Sequence, residues 1–231
     1  MTSIDPHGLV AGHTVYRCVV GSRAYGLARD GSDIDERGVY LAPTPLFWGF
    51  DKPPTHVDGP SSPGAELFSW ELERLCELAL AANPTVLECL WSPLRVMVTP
   101  VGEELLELRR AFLSLRVADT YGLYAKAQLR KLTARYQRTG EVRWKQAMHM
   151  LRLLRAAAHV LETGEVLVDV SDERELLLAV RDGEVAWAEF DALAAGLRGR
   201  VDAAVVGSGL PEVPDRGRVE KFLIAVRGSA V

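Results

Sequence analysis

The 231-residue sequence lacks the features that mark several classes of protein. Its three cysteines (Cys18, Cys76 and Cys89) are far apart and form no Cys-x-x-Cys pair. A disulfide framework or a zinc ribbon is therefore not expected, and a reducing cytoplasm is the expected location. No stretch approaches the ~18–20 apolar residues needed to span a bilayer, so no membrane partner is expected. The first residues have neither the basic nor the apolar region of a signal peptide.

Two common catalytic motifs are also missing. The sequence contains neither a Walker-type Gly-x₄-Gly-Lys-Ser/Thr loop nor a Gly-x-Ser-x-Gly nucleophile elbow. The histidines at positions 7, 13, 56 and 159 show no metal-ligand spacing with the cysteines, so a zinc site is not expected. With 48% hydrophobic and 25% charged residues, the composition is that of a globular protein.

The net charge of −4 hides an uneven distribution. Between Arg109 and Arg155 there are twelve Lys and Arg residues and only two acidic residues, Asp119 and Glu141. This basic segment 109–155 suits an RNA or another nucleic-acid end, or a triphosphate. The alternative is a set of solvated helix faces.

The pattern of apolar residues predicts two domains. Residues 1–105 are expected to form an α/β domain, and residues 106–231 an α-helical domain. In the first, the predicted strands are 14–20, 33–41, 65–69 and 94–98, and the predicted helices are 71–82 and 85–90. Residues 43–64 hold six of the twelve prolines and predict a long irregular loop. In the second, the predicted helices are 102–113, 117–137, 143–163, 172–181, 185–197 and 216–227.

The most informative stretch runs from Gly21 to Asp35. A predicted strand delivers Gly21 and Ser22 to the start of a helical turn, where free backbone N–H groups favour a phosphate. Asp33 and Asp35 open the next strand, and their spacing places both carboxylates on one face. Mg²⁺ suits such a pair, because it is a hard cation that binds carboxylate and phosphate oxygens. The pattern predicts metal-assisted phosphoryl or nucleotidyl transfer, and its alternative is a tight turn before a solvent-facing strand.

The arrangement Gly-Ser-x₁₀-Asp-x-Asp resembles the nucleotidyltransferases of the DNA polymerase β superfamily. The strings at 21–28 and 32–40 resemble one branch more closely, the RNA-ligase-associated (RlaP-like) nucleotidyltransferases. The resemblance continues at 70–88, 124–131 and 145–154, and covers about residues 12–185. It implies an α+β fold, in which a polymerase-β-like mixed sheet with flanking helices is followed by a C-terminal α-helical domain.

The resemblance also implies a metal site and a substrate. Asp33 and Asp35 would hold two Mg²⁺ ions, with Mn²⁺ as a substitute, and the substrate would be an NTP. Related sequences often carry an aspartate at the position of Glu66, which makes Glu66 the expected third metal-binding and catalytic carboxylate. Asp58 is the alternative for that role.

A further set of residues is expected to bind the nucleotide. Arg23 follows the Gly-Ser pair and could hold a phosphate, although an exposed arginine at the start of a helix is also common. Lys145, His149 and Arg152 are spaced to share one helix face, which the resemblance directs toward the triphosphate. The alternatives are a solvated face and a buried histidine. The full predicted nucleotide-binding set is Gly21, Ser22, Arg23, Lys145, His149 and Arg152.

These residues favour an enzyme that transfers an NMP from an NTP to an acceptor and releases pyrophosphate. The acceptor stays open between an RNA or DNA end, a protein and a small molecule. Two other functions remain as alternatives. One is a non-catalytic module that binds a nucleotide or RNA. The other is a ribonuclease in the helical domain, because the spacing of Arg143 and His149 resembles the Arg-x₄₋₆-His signature of small helical ribonucleases.

Overall fold

The computed structural model describes residues 4–62 and 65–229, with the side chains of 60–62 left outside the description. The chain forms an α+β fold with one five-stranded mixed sheet in the order β3-β4-β2-β1-β5. Strands β2 and β4 are parallel, and the other three pairs are antiparallel. The strands are β1 Thr14–Val20, β2 Ile34–Tyr40, β3 His56–Ser62, β4 Ala65–Glu71 and β5 Arg95–Val98.

Helices flank the sheet and make up most of the rest of the chain. Those up to residue 108 are α1 Pro6–His13, α2 Gly21–Ala24, α3 Leu72–Leu80, α4 Pro84–Leu90 and α5 Pro100–Leu108. The later ones are α6 Arg116–Thr139, α7 Trp144–Thr163, α8 Arg174–Asp182, α9 Trp187–Gly207 and α10 Arg216–Ser229. Short 3₁₀ helices cover Thr44–Phe47, Arg109–Phe112 and Ser171–Glu173. No helix in the described ranges is long and apolar enough to cross a membrane.

Local sequence explains where the short helices next to the sheet begin. The Asn83 side chain accepts a hydrogen bond from the Val86 amide at 3.3 Å, and Pro84 occupies the first turn of α4. Thr99 does the same for the Gly102 amide at the start of α5. Both are preferred N-cap residues, because their side-chain oxygens satisfy amides that have no partner within the helix.

The prediction of an irregular loop over residues 43–64 is wrong for the part that forms β3. This strand pairs with β4 along its length. The prolines of this stretch argue for a loop, because proline cannot donate a backbone hydrogen bond. β3 is the last strand of the sheet, however, and an edge strand tolerates proline, because one of its sides needs no partner. Helix α1, before the first predicted strand, was also not predicted.

The chain divides into two compact units. The first consists of the residues up to Ala24, Ala28–Phe112 and the residues from Pro214 onward, and the second consists of Tyr25–Leu27 and Leu113–Val213. The sequence-based division between residues 105 and 106 stays a prediction, and these units have other bounds. The difference arises where α10 returns to the first unit, since Arg227 pairs there with Glu71.

Each unit has its own apolar core. In the first unit, α3 and α4 contribute the buried residues Leu72, Leu75 and Leu87, and the Tyr16 hydroxyl of β1 donates to the Cys89 carbonyl at 2.8 Å. In the second unit, α7 is the central helix and contacts α6, α8 and α9. Its buried face includes Leu151 and Leu154, as the apolar spacing of this segment predicts.

Candidate active site

The turn that follows β1 brings backbone and carboxylate together. Gly21 has a φ of +68°, a conformation that side chains with a β-carbon rarely adopt. A β-carbon at this position would lie 2.7 Å from Oδ2 of Asp35. Val20 and Asp35 are register partners in the β1–β2 ladder, which is why the turn begins beside this carboxylate. Glycine at position 21 therefore allows the backbone to pass this close to the Asp35 carboxylate.

Asp33 and Arg23 lie at the other side of the same turn. Asp33 precedes the first residue of β2, and its side chain is exposed. The guanidinium of Arg23 donates to the backbone carbonyls of Ser32 at 2.8 Å and Asp33 at 3.3 Å. Arg23, expected to bind nucleotide, thus ties the turn to the loop that carries Asp33.

The third expected carboxylate lies on the neighbouring strand. Asp35 and Glu66 are register partners in the parallel β2–β4 pair. Register partners in a sheet project their side chains to the same face, so the two carboxylates are neighbours. The Glu66 side chain is exposed. Asp58, the alternative, lies on β3 opposite Phe68, one side-chain row away from Asp35.

The donor set tests whether a metal fits here. Asp33, Asp35 and Glu66 supply only carboxylate oxygens, which suit a hard cation such as Mg²⁺ or Mn²⁺ and not a thiophilic metal. Over the described part of the chain, no three or more His, Cys, Asp or Glu side chains converge closely enough to hold an ion. The donor chemistry fits a divalent cation, and the metal site itself is a proposal.

The three residues expected from α7 belong to the second unit. Lys145 is exposed in the first turn of the helix, and His149 is partly buried. Burial lowers the pKa of His149 from its ordinary 6.5 to about 4, and the nearby charges of Arg152, Lys145 and Arg181 act in the same direction. His149 is therefore uncharged at neutral pH.

Arg152 has an environment that the sequence does not suggest. Only 6% of the residue is exposed, and its guanidinium carbon lies 3.7 Å from the centroid of the Tyr25 ring. Such cation–π contacts gain strength when they are withdrawn from water. Arg152 lies on α7 with Lys145 and His149, and its guanidinium packs on Tyr25 within the second unit. Its binding of nucleotide stays a prediction.

The sequence did not predict the contacts around Tyr25 and Gly26. The Tyr25 carbonyl accepts from the Val170 amide at 3.1 Å, and Arg174 donates to the Gly26 carbonyl. A β-carbon on Gly26, whose φ is +71°, would lie 2.8 Å from the Ser171 side chain. These contacts make the segment directly after α2 part of the second unit. The only signal in the sequence was the Tyr-Gly pair, because its partners lie about 145 residues away.

Comparison with known proteins gives a family and a structural likeness. The model of RlaP, the RNA repair pathway DNA polymerase beta family, matches residues 7–224. The crystal structure of a nucleotidyltransferase-like protein from Exiguobacterium sibiricum 255-15 matches with 16% sequence identity and a TM-score of 0.36. The match covers 96% of this chain and 77% of that chain. No curated protein matches at a significant level.

Proposed function

The chain belongs to the RlaP family, the RNA repair pathway DNA polymerase beta family, and from that premise we propose that it is a metal-dependent nucleotidyltransferase acting on an RNA end. The observation that carries the proposal is the position of Asp35. It lies in register with Glu66 on one side, and the backbone of the turn at Gly21 passes close to its carboxylate on the other. A nucleotidyl-transfer site needs this combination of paired carboxylates beside a backbone turn that admits phosphate.

Each residue of the turn has a role in this proposal. The backbone at Gly21 and the hydroxyl of Ser22 hold phosphate oxygens of the NTP, and Arg23 fixes the loop that carries Asp33. Asp33, Asp35 and Glu66 would hold Mg²⁺, or Mn²⁺ in its place. When bound, these ions supply charge neutralisation for the triphosphate and a lower pKa for the acceptor hydroxyl.

The proposed reaction is a substitution at the α-phosphorus of the NTP. An oxygen of the RNA hydroxyl forms a bond to the α-phosphorus of the NTP, and the bond from that phosphorus to the bridging oxygen of the β-phosphate breaks. Pyrophosphate leaves with the bonding electrons, and the hydroxyl proton moves to the Glu66 carboxylate and then to water. Glu66 is suited to this role because its side chain is exposed beside Asp35.

The basic segment 109–155 supplies the proposed contact with RNA phosphates. Exposed Lys and Arg side chains lie along α6 and at the start of α7. They include Lys126, Arg130, Lys131, Arg138 and Lys145. Such side chains bind a phosphate backbone without reading its sequence, and their contribution falls as salt rises.

A thermal-shift titration tests the site before the acceptor is known. We expect at least one of ATP, GTP, CTP and UTP to raise the Tm of the full chain, and only with Mg²⁺ or Mn²⁺ present. A ligand at 100 times its Kd stabilises a protein by about 2.7 kcal/mol, which is easily detected. Asp35→Asn should abolish the shift, whereas Asp30→Asn, an exposed residue of the adjoining loop, should retain it.

A second assay measures transfer directly. Wild type is incubated with each α-³²P-labelled NTP, Mg²⁺ and a pool of RNAs with defined ends, and labelled RNA is resolved on a gel. We expect labelled RNA and stoichiometric pyrophosphate from wild type and from Asp30→Asn, and neither from Asp35→Asn. NTP binding without any labelled product would instead indicate a non-catalytic module. RNA cleavage that needs no metal and disappears in His149→Ala would indicate the ribonuclease.

A further inference from the structure

Two of the three cysteines meet inside the first unit. Sγ of Cys18, in the middle of β1, lies 3.5 Å from Sγ of Cys89, near the end of α4. Both residues are 0% exposed, and they are 71 positions apart in the sequence. The third cysteine, Cys76, is buried on α3. The fold therefore brings together two thiols that no spacing along the chain relates.

The contact between the two sulfurs is close enough for a covalent link. A disulfide needs a sulfur–sulfur distance of about 2.05 Å, so the gap has to shorten by about 1.5 Å. Strand β1 is the more fixed side, because Cys18 has a register partner on both sides, Arg37 of β2 and Arg95 of β5. Helix α4 has only seven residues and no such ladder, so α4 is the element that can adjust.

The two thiols differ in acidity. A hydrogen bond from the Cys89 thiol stabilises the Cys18 thiolate and lowers the pKa of Cys18, although burial opposes this effect. The same hydrogen bond, together with burial, raises the pKa of Cys89. Because the thiolate is the nucleophile in cysteine chemistry, Cys18 is the residue that attacks and Cys89 the residue that closes the disulfide.

Burial selects the kind of oxidant that can reach the pair. Hydrogen peroxide is nearly as small as water, whereas glutathione disulfide and Ellman's reagent are many times larger. Neither Cys18 nor Cys89 has exposed surface, so a bulky reagent needs a large opening of the fold and a peroxide needs only a small one. The oxidant that fits these thiols is therefore a small peroxide.

We propose that Cys18 and Cys89 form a site of reversible oxidation by hydrogen peroxide, at which a disulfide joins β1 to α4. The Cys18 thiolate attacks one peroxide oxygen, the O–O bond breaks, and hydroxide leaves a sulfenic acid on Cys18. The Cys89 sulfur then bonds to the Cys18 sulfur, the S–O bond breaks, and the oxygen leaves as water with the Cys89 proton. The two thiols lose two electrons, and one peroxide becomes two waters.

The reverse step needs a dithiol reductant, so in a reducing compartment the link is transient. Nucleotidyl transfer plays no part in this chemistry, which therefore stands or falls independently of the proposed enzyme.

Mass spectrometry of the full chain tests the site. The reduced chain is treated with hydrogen peroxide, unfolded in guanidinium chloride and alkylated. We expect wild type to lose about 2 Da and to take one label in place of three, and a digest to yield a peptide that joins Cys18 to Cys89. The two thiols should disappear together and at least tenfold faster than Cys76. Glutathione disulfide at the same concentration should leave all three thiols free.

Two variants sharpen this test. Cys76→Ala removes the other buried thiol and is the matched control, so it should form the link within twofold of the wild-type rate. Cys89→Ala should form no link and should accumulate a sulfenic acid on Cys18, which dimedone captures. If Cys89→Ala does not fold, wild type and Cys76→Ala still decide the question. Three free thiols after peroxide, oxidation of Cys76 at an equal rate, or a link between two chains would overturn the proposal.

Thermal unfolding gives a second readout. A disulfide that fits the native fold restricts the unfolded chain, and the loop closed here is long. We expect the linked chain to melt about 5–15 °C higher than the reduced chain, and dithiothreitol to reverse the shift. A lower Tm in the linked form would mean that the link strains the fold, which contradicts a site built for it.

Discussion

A β-carbon on Gly21 would lie 2.7 Å from Oδ2 of Asp35, so the glycine and the carboxylate occupy adjoining positions with no room between them. This relationship joins the two halves of the predicted motif in one place. The glycine permits the positive φ of the turn and also lets the backbone lie close to the carboxylate. Substitution at Gly21 should therefore affect both stability and function.

We expect Gly21→Ala to lower NTP-dependent turnover by about 100-fold, because the added methyl group displaces the Asp35 carboxylate by a fraction of an ångström or more. The left-handed backbone should also cost about 1–2 kcal/mol of folding free energy. Steady-state kinetics and urea denaturation measure the two effects.

Gly31→Ala is the matched control for that experiment. Gly31 has a similar φ of +78°, but nothing lies within 4 Å of an added β-carbon. We expect a comparable loss of folding free energy with turnover within about threefold of wild type. A similar fall in turnover for both variants would show that backbone strain, and not proximity to Asp35, explains the loss.

The ion pair between α10 and β4 gives a prediction about stability. Nη2 of Arg227 lies 3.0 Å from both carboxylate oxygens of Glu71, of which only 4% is exposed. Burial raises the pKa of Glu71, while Arg227 opposes this effect. Removing one partner of a buried pair leaves the other charge without compensation, so Arg227→Ala should lower the free energy of unfolding by about 3–5 kcal/mol.

Arg200 and Glu162 provide the comparison for Arg227. They form a pair in which Nε and Nη2 of Arg200 contact the two carboxylate oxygens at 2.7 and 2.6 Å, but the Arg200 side chain is about half exposed. Arg200→Ala should therefore cost less than about 1 kcal/mol, because water compensates the remaining carboxylate. Denaturant titration of both variants measures the difference. Equal losses would mean that burial of Glu71 does not govern the strength of its pair.

The same ion pair shows what local sequence patterns can and cannot predict. The strands on either side of Gly21 and the position of Asp35 follow from periodicity, since they depend on neighbours within about fifteen residues. The pairing of Arg227 with Glu71 joins residues 156 positions apart and leaves no local pattern. The return of α10 to the first unit was therefore not predicted.

Of two further differences, one has a local cause and the other depends on a distant residue. Helix α9 was predicted to end at residue 197 but continues to Gly207, although it contains Gly196 and Gly199. A glycine in an exposed helix costs only about 1 kcal/mol, which the packing of Val201 and Ala204 can offset. Arg152 lies on the predicted face of α7, but its contact with Tyr25 depends on a residue 127 positions earlier.

All three cysteines are buried, and this predicts their chemical reactivity. Burial raises the pKa of Cys76 to about 12, which leaves very little thiolate at neutral pH. Sγ of Cys18 and Sγ of Cys89 lie 3.5 Å apart with no exposed surface. Because alkylating and disulfide reagents need an accessible thiolate, we expect no thiol to react rapidly with Ellman's reagent in the native protein.

The control for the thiol assay is the unfolded chain. In 6 M guanidinium chloride, about three thiols per chain should react at once, since burial no longer protects them. Rapid reaction of one thiol in the native state would contradict the burial of these residues, and its identity could be found by mass spectrometry after alkylation.

The lowered pKa of His149 makes stability depend on pH in a defined window. The folded chain holds this pKa at about 4, below the ordinary value of 6.5 expected after unfolding. Between these values the unfolded chain binds more protons than the folded one, so the free energy of unfolding rises with pH. The stabilisation is complete above about pH 6.5 and decreases as the pH falls toward 4.

His149→Gln removes this titration and keeps a side chain of similar length. We expect the difference in unfolding free energy between wild type and His149→Gln to change in the wild type's favour from pH 4 to pH 6.5 and to stay constant above. Denaturant titrations at half-unit steps of pH measure it, and NMR of the imidazole protons gives the pKa itself. A measured pKa near 6.5 would contradict the burial of His149 among Lys145, Arg152 and Arg181. A value near 4 leaves the imidazole neutral during catalysis at pH 7, so that it can donate or accept a hydrogen bond but cannot form an ion pair with a phosphate.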